Sequence, residues 1–88
     1  MFERFAHLSK EEKANLTIAD FTVSEIRFII SETVFAKEVD GLIAELRFIR
    51  SCSQAVIAEK IGYEQERSVQ ERLKSIKERM LNTIQKII

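Results

Sequence analysis

The sequence predicts a small all-α domain of four to five helices that ends in one long helix. Three observations predict it. Proline is absent and Gly41 and Gly62 are the only glycines in 88 residues, so the turn punctuation that successive strands require is missing. Ser9–Glu12 and Thr22–Glu25 both have the S/T-x-x-E form of a capping box at a helix N-terminus. Apolar side chains then recur every three or four residues, the spacing of one helix face.

Taken in order, a short helix is expected around Phe2–Leu8. Ser9 can cap the next segment, Lys10 to Asp20, which is poorly patterned and has no sharp limits. After the second box, Ile26, Ile29 and Ile30 follow at helical spacing. Phe35, Val39, Leu42, Ile43, Leu46 and Ile49 form an amphipathic stripe. Gly41 lies inside it at a cost of about 1 kcal/mol against alanine, and marks either a close helix crossing or a weak point. Ser51 or Ser53 can cap a helix that runs to Ile61, and Gly62 suits the left-handed position after its end. The last helix is expected from about Glu66 to Ile87, roughly 30 Å at 1.5 Å per residue.

Residues 1–88 make one domain, which buries only about 60–65% of the surface its unfolded chain exposes. Cys52 is the only cysteine. It has no intramolecular partner, and no Cys/His set is available for a structural metal. Pairing of subunits is one remaining source of stability. A lone thiol suits a reducing compartment, the N-terminus lacks a signal-type apolar core, and no apolar run approaches the roughly 20 residues of a membrane span. A soluble, cytoplasmic protein is expected. The formal net charge is zero, but residues 1–43 carry five Lys/Arg and eight Asp/Glu, for −3, whereas residues 44–88 carry nine and six, for +3. This suggests an acidic N-terminal part, the helices of residues 1–38, that packs or docks, and a basic part that faces an anion.

The stretch from Ser53 to Val69 carries the most information. Ala58 is the small residue needed where two helices cross closely. Ile57 and Ile61 supply an apolar face, Gly62 permits the positive φ that reverses the chain, and Tyr63 can cover the turn. Val69, Leu73 and Ile76 then pack the next helix back. A helix-turn-helix over about 53–80 satisfies this pattern, and so does any compact helical hairpin.

The segments Ala44–Ile49, Ser53-Gln54, Ile57–Tyr63, Ser68-Val69 and Arg72–Lys74 resemble sigma-factor region 4. They are closest to the sigma-like helix-turn-helix regulators of bacteriophages and mobile elements of Gram-positive bacteria. The resemblance covers about residues 39–80. It implies a DNA-binding module in transcriptional control, whose second helix enters the major groove of duplex DNA. Arg67, Gln70 and Lys74 recur at i, i+3 and i+7, with Ser68 and Glu71 beside them. Arg67 and Gln70 have the chemistry to read guanine and adenine edges. Arg72 and Lys74 suit phosphates, as do Arg50 and Lys60 on the DNA reading, and Ser68 completes the set. The acidic half would complete the core and contact RNA polymerase or another protein.

Other readings stay open. Glu64 and Glu66 lie at the start of the second helix, where its dipole favours them but phosphates would not. The same face can be a solvated surface with a Glu71–Lys74 pair, and the fold a small adaptor or oligomeric bundle that binds protein. The stripe Val69, Leu73, Ile76, Met80, Thr83, Ile87 has a heptad register, and Leu81, Ile84 and Ile88 widen it. Met80, Leu81, Ile84 and Ile87 are therefore expected in a homodimer interface, or packed against Phe2 and Phe5. His7, Cys52, Asp20, Glu38 and Asp40 form no catalytic or metal-ligand pattern, and there is no glycine-rich phosphate loop. Neither an enzyme nor a cofactor is expected.

Overall fold

The computed structural model describes residues 1–62 and 65–88. Five α-helices, α1 (Lys10–Ala14), α2 (Val23–Glu32), α3 (Glu38–Ala44), α4 (Gln54–Ile61) and α5 (Glu66–Ile87), form an all-α domain with no strand among the described residues. Single 3₁₀ turns at Glu3–Phe5 and Ile18–Asp20 precede α1 and α2, and a π-helical turn, Glu45–Ile49, continues α3.

Side chains at the helix starts explain these boundaries. The Glu12 N–H donates to Ser9 Oγ at 3.1 Å and the Ser9 N–H to Glu12 Oε1 at 3.0 Å. The same reciprocal pair starts α2, with the Thr22 N–H donating to Glu25 Oε1 at 2.8 Å and the Glu25 N–H to Thr22 Oγ1 at 3.3 Å. Each pair satisfies two amides near the helix start that have no intrahelical partner. Asp20 accepts the Thr17 N–H at 2.7 Å, which breaks the expected Lys10–Asp20 segment into α1 and a separate 3₁₀ turn. The expected helix at Phe2–Leu8 is likewise only the turn Glu3–Phe5.

Arg4 fastens that first turn to α2. Its guanidinium lies 2.7 Å from the buried Glu25 carboxylate, donates to the Asp20 carbonyl at 2.7 Å and stacks 4.5 Å above the Phe5 ring. Phe2 packs on Phe5, Phe21 and Phe28, and Phe5 on Phe21, with ring centroids 4.9–6.5 Å apart.

Helix α5 is the spine. Thr33 Oγ1 donates to Thr83 Oγ1 at 2.8 Å, Arg79 to the Val34 carbonyl at 3.0 Å and Gln85 to the Lys13 carbonyl at 2.7 Å. These bonds hold the C-terminal half of α5 against the N-terminal elements, while α4 packs on its N-terminal half. Ile29, Ile43, Ile57, Ile76, Met80 and Ile84 are fully buried in the resulting core.

The α3 stripe needs two corrections. Leu42 is exposed, because Ile43, Ala44 and Leu46 take the inner face. Gly41 marks no close crossing, since a Cβ added there would meet nothing within 4 Å.

Candidate nucleic-acid interface

The hairpin begins where the π turn ends. The Arg50 N–H donates to the Glu45 carbonyl at 3.1 Å and the Cys52 N–H to the Leu46 carbonyl at 2.9 Å. Ser51 adopts a positive φ of 56°, and Arg47 donates to the Cys52 carbonyl at 3.0 Å. This tight loop leaves Ser53, rather than Ser51, as the N-cap of α4, its Oγ accepting the Val56 N–H at 3.2 Å. At the other end Gly62 takes φ +81°, and its N–H returns to the Ala58 carbonyl. Ile57 and Ala58 of α4 are buried in the same core as Val69 and Leu73 of α5. Tyr63 as a cover for the turn, and Glu64 at its exit, lie outside the described residues.

Most of the residues expected to meet DNA are on the surface. Arg50, Lys60, Arg67, Gln70 and Lys74 are exposed and Ser68 is half-buried. Arg67, Gln70 and Lys74 lie on an exposed side of α5, turned roughly 110° round the helix from the buried Val69 and Leu73. Arg67 is 3.5 Å from Glu71, and both side chains are largely in water. This pair, instead of the expected Glu71–Lys74 pair, is the one formed. Such exposed pairs are worth about 0–1 kcal/mol, so Arg67 can exchange Glu71 for another acceptor.

Arg72 is placed differently. Five residues from Arg67, it is turned roughly 140° round the helix, and its guanidinium grips a fully buried Asp40. Nε donates to Oδ1 at 3.0 Å and Nη2 to Oδ2 at 2.6 Å. Asp40 Oδ2 also accepts the Lys37 N–H, at 3.2 Å, at the start of α3. The guanidinium expected to contact phosphate is thus engaged inside the protein, joining α3 to α5. The spacing of 32 residues hides this pair from a sequence reading. A signal did exist, since Asp40 falls between Val39 and Ile43 on an apolar stripe, and a buried carboxylate there needs a cation.

The four residues expected at a dimer interface also divide. Met80 and Ile84 are fully buried within their own chain. They have no surface to offer a second copy, because the N-terminal elements cover the widened stripe. Leu81 and Ile87 keep partial exposure.

The acids of the N-terminal half have local uses. Glu12, Asp20, Glu25 and Asp40 each accept a backbone N–H at the start of a helical segment. Among the described residues, Glu11, Glu32 and Glu38 are left without such a partner. No group of three or more His, Cys, Asp or Glu among the described residues is placed to hold a metal ion. No helix among them is long and apolar enough to cross a membrane.

Comparison of the chain with family models, with curated proteins and with solved structures finds no match. The arrangement of α4, Gly62 and α5 therefore rests on the geometry above.

Proposed function

We propose that the protein binds duplex DNA through α4 and α5 as a helix-turn-helix and acts as a small transcriptional regulator. One observation carries this reading. The first three turns of α5 are fastened to the core by Val69 and Leu73, and present Arg67, Gln70 and Lys74 to solvent with no partner from another element among the described residues. A rigid helix with an unused polar side has the form that enters a major groove. Arg67 and Gln70 read base edges. Arg50, Lys60 and Lys74 hold phosphates. Arg72 acts indirectly, by fixing the rotation of α5 through Asp40.

The test is an anisotropy titration of labelled duplex DNA across a range of salt. Three phosphate contacts per chain give a slope of log affinity against log salt near −3, at about −0.9 per phosphate. Lys74→Ala flattens the slope by about one unit, whereas Arg67→Ala costs roughly 1–3 kcal/mol chiefly at a preferred site. Absence of binding at low salt, with protein on the order of 10⁻⁴ M, refutes the reading.

A second reading has its own observation. Glu59, Glu66 and Glu71 are exposed around the same cations, and carboxylates there oppose a polyanion while suiting a protein partner of mixed charge. On this reading the hairpin is an adaptor. Glu66→Gln separates the two, since it strengthens DNA binding only if DNA approaches that face.

A further inference from the structure

A pocket of about 490 Å³ opens between the Thr17–Phe21 stretch, the π turn and the middle of α5. Ile18, Phe21, Ile26, Phe48 and Leu81 give it apolar walls. Arg47 and Lys77 also line it, and no carboxylate does. Neither cation belongs to an ion pair among the described residues. Neither has an acidic residue three or four positions away along its own segment. Arg47 donates through Nη1 to the Cys52 carbonyl, which leaves the rest of its fork for another acceptor.

We propose that this pocket binds a free amphipathic monoanion, an apolar body with a single carboxylate or sulfonate head. Three features select that class. The volume lies in the range of about 300–1,000 Å³ typical of small-molecule sites. The walls remove an apolar body from water. The cations that line it, Arg47 and Lys77, suit an anionic head, no carboxylate among the described residues lines it, and charge-assisted bonds of this kind are stronger than neutral ones. Lys77 is the better head-group ligand, because its exposed ammonium has no other partner among the described residues, whereas Arg47 also holds the loop before α4.

The experiment is a fluorescence titration of the full chain with 8-anilinonaphthalene-1-sulfonate, followed by displacement with decanoate, with decanol and with anionic phospholipid vesicles. Saturable binding of one probe per chain is expected, with decanoate displacing it at least about tenfold better than decanol, as one charged contact implies. Vesicles should not displace it. Lys77→Gln should weaken the probe about tenfold without lowering the melting temperature, and Ala19→Trp, which fills the pocket from an exposed position, should abolish binding. Equal displacement by decanol, displacement by vesicles, full affinity in Lys77→Gln or an unaffected Ala19→Trp would each overturn the proposal. Sedimentation as a dimer that Ala19→Trp dissociates would overturn it too, by giving the pocket to a second copy.

Discussion

Removing the Arg72 side chain should destabilise the fold, whatever it does to ligand binding. In Arg72→Ala the fully buried Asp40 carboxylate loses donors at 3.0 and 2.6 Å and keeps the Lys37 N–H at 3.2 Å. Breaking a buried ion pair from one side costs about 3–5 kcal/mol, because the remaining charge stays desolvated. Against a total stability of roughly 5–15 kcal/mol for a single domain, that is a large share. At about 4–8 °C per kcal/mol in a domain of this size, even the lower cost moves the melting temperature down by roughly 12–24 °C. Asp40→Asn should cost less, about 1–3 kcal/mol, since it keeps an acceptor for Lys37 and leaves a guanidinium that can reach water. The double variant Asp40→Leu, Arg72→Met should recover most of the loss, because it removes the buried carboxylate together with the cation that it needs. Urea unfolding followed by circular dichroism measures all three. If Arg72→Ala stays within about 0.5 kcal/mol of wild type, as ordinary surface changes do, the pair is not structural. Arg72 would then be available to phosphate after all.

Three further outcomes use the same material. Ala58→Leu should cost about 1–3 kcal/mol by overpacking the buried contact between α4 and α5, and an unchanged unfolding midpoint would show that the helices do not meet there. The two glycines should respond with opposite sign to alanine. Gly62→Ala should cost about 1–2 kcal/mol for its left-handed φ, whereas Gly41→Ala should gain about 0.5–1 kcal/mol inside α3, and shifts of equal sign would contradict the assignment. Hydrogen bonds from the Ser9 backbone N–H and hydroxyl hold the Glu12 carboxyl below its ordinary value. The stability linked to Glu12 is therefore present above the unfolded pKa of about 4.3 and is lost as pH falls through the lower folded value. An NMR titration that places the folded Glu12 midpoint at or above that of an unfolded glutamate would rule out the box.

Local chemistry made much of the fold legible. Ser9, Thr22 and Ser53 start α1, α2 and α4 because each presents an oxygen to an amide two or three residues on, and that interaction is written within four residues of sequence. Gly62 and the extent of α5 were readable for the same reason. Features that depend on distant residues were not. Within α3 the inner face is taken by Asp40, Ile43 and Ala44, so the periodicity placed Leu42 in the core when the chain turns it out. The burial of Met80 and Ile84 depends on segments tens of positions away, as the Thr33–Thr83 bond across 50 residues shows, and a stripe read alone cannot show what covers it. The surface residues of the candidate site were found at their helical spacing. Arg72 differs because its partner sits on another helix.

Charge partition decides how the hairpin face can act. The excess of acid before residue 44 looked like a docking surface, yet Glu12, Asp20, Glu25 and Asp40 lie at helix starts accepting backbone amides. Part of the basic excess after residue 43 is likewise internal, because Arg72 is bound to Asp40. The imbalance that reaches solvent is therefore smaller than the sequence halves imply, and long-range attraction of a polyanion is correspondingly weak. On the proposed DNA reading, recognition by this face would come from short-range contacts, with α5 held at one rotation so that Arg67, Gln70 and Lys74 arrive together. The Asp40–Arg72 pair supplies that constraint: it ties α5 to α3 five residues beyond Arg67. A phosphate contact by Arg72 would add one charge to the face, whereas its bond to Asp40 fixes where the other three side chains point.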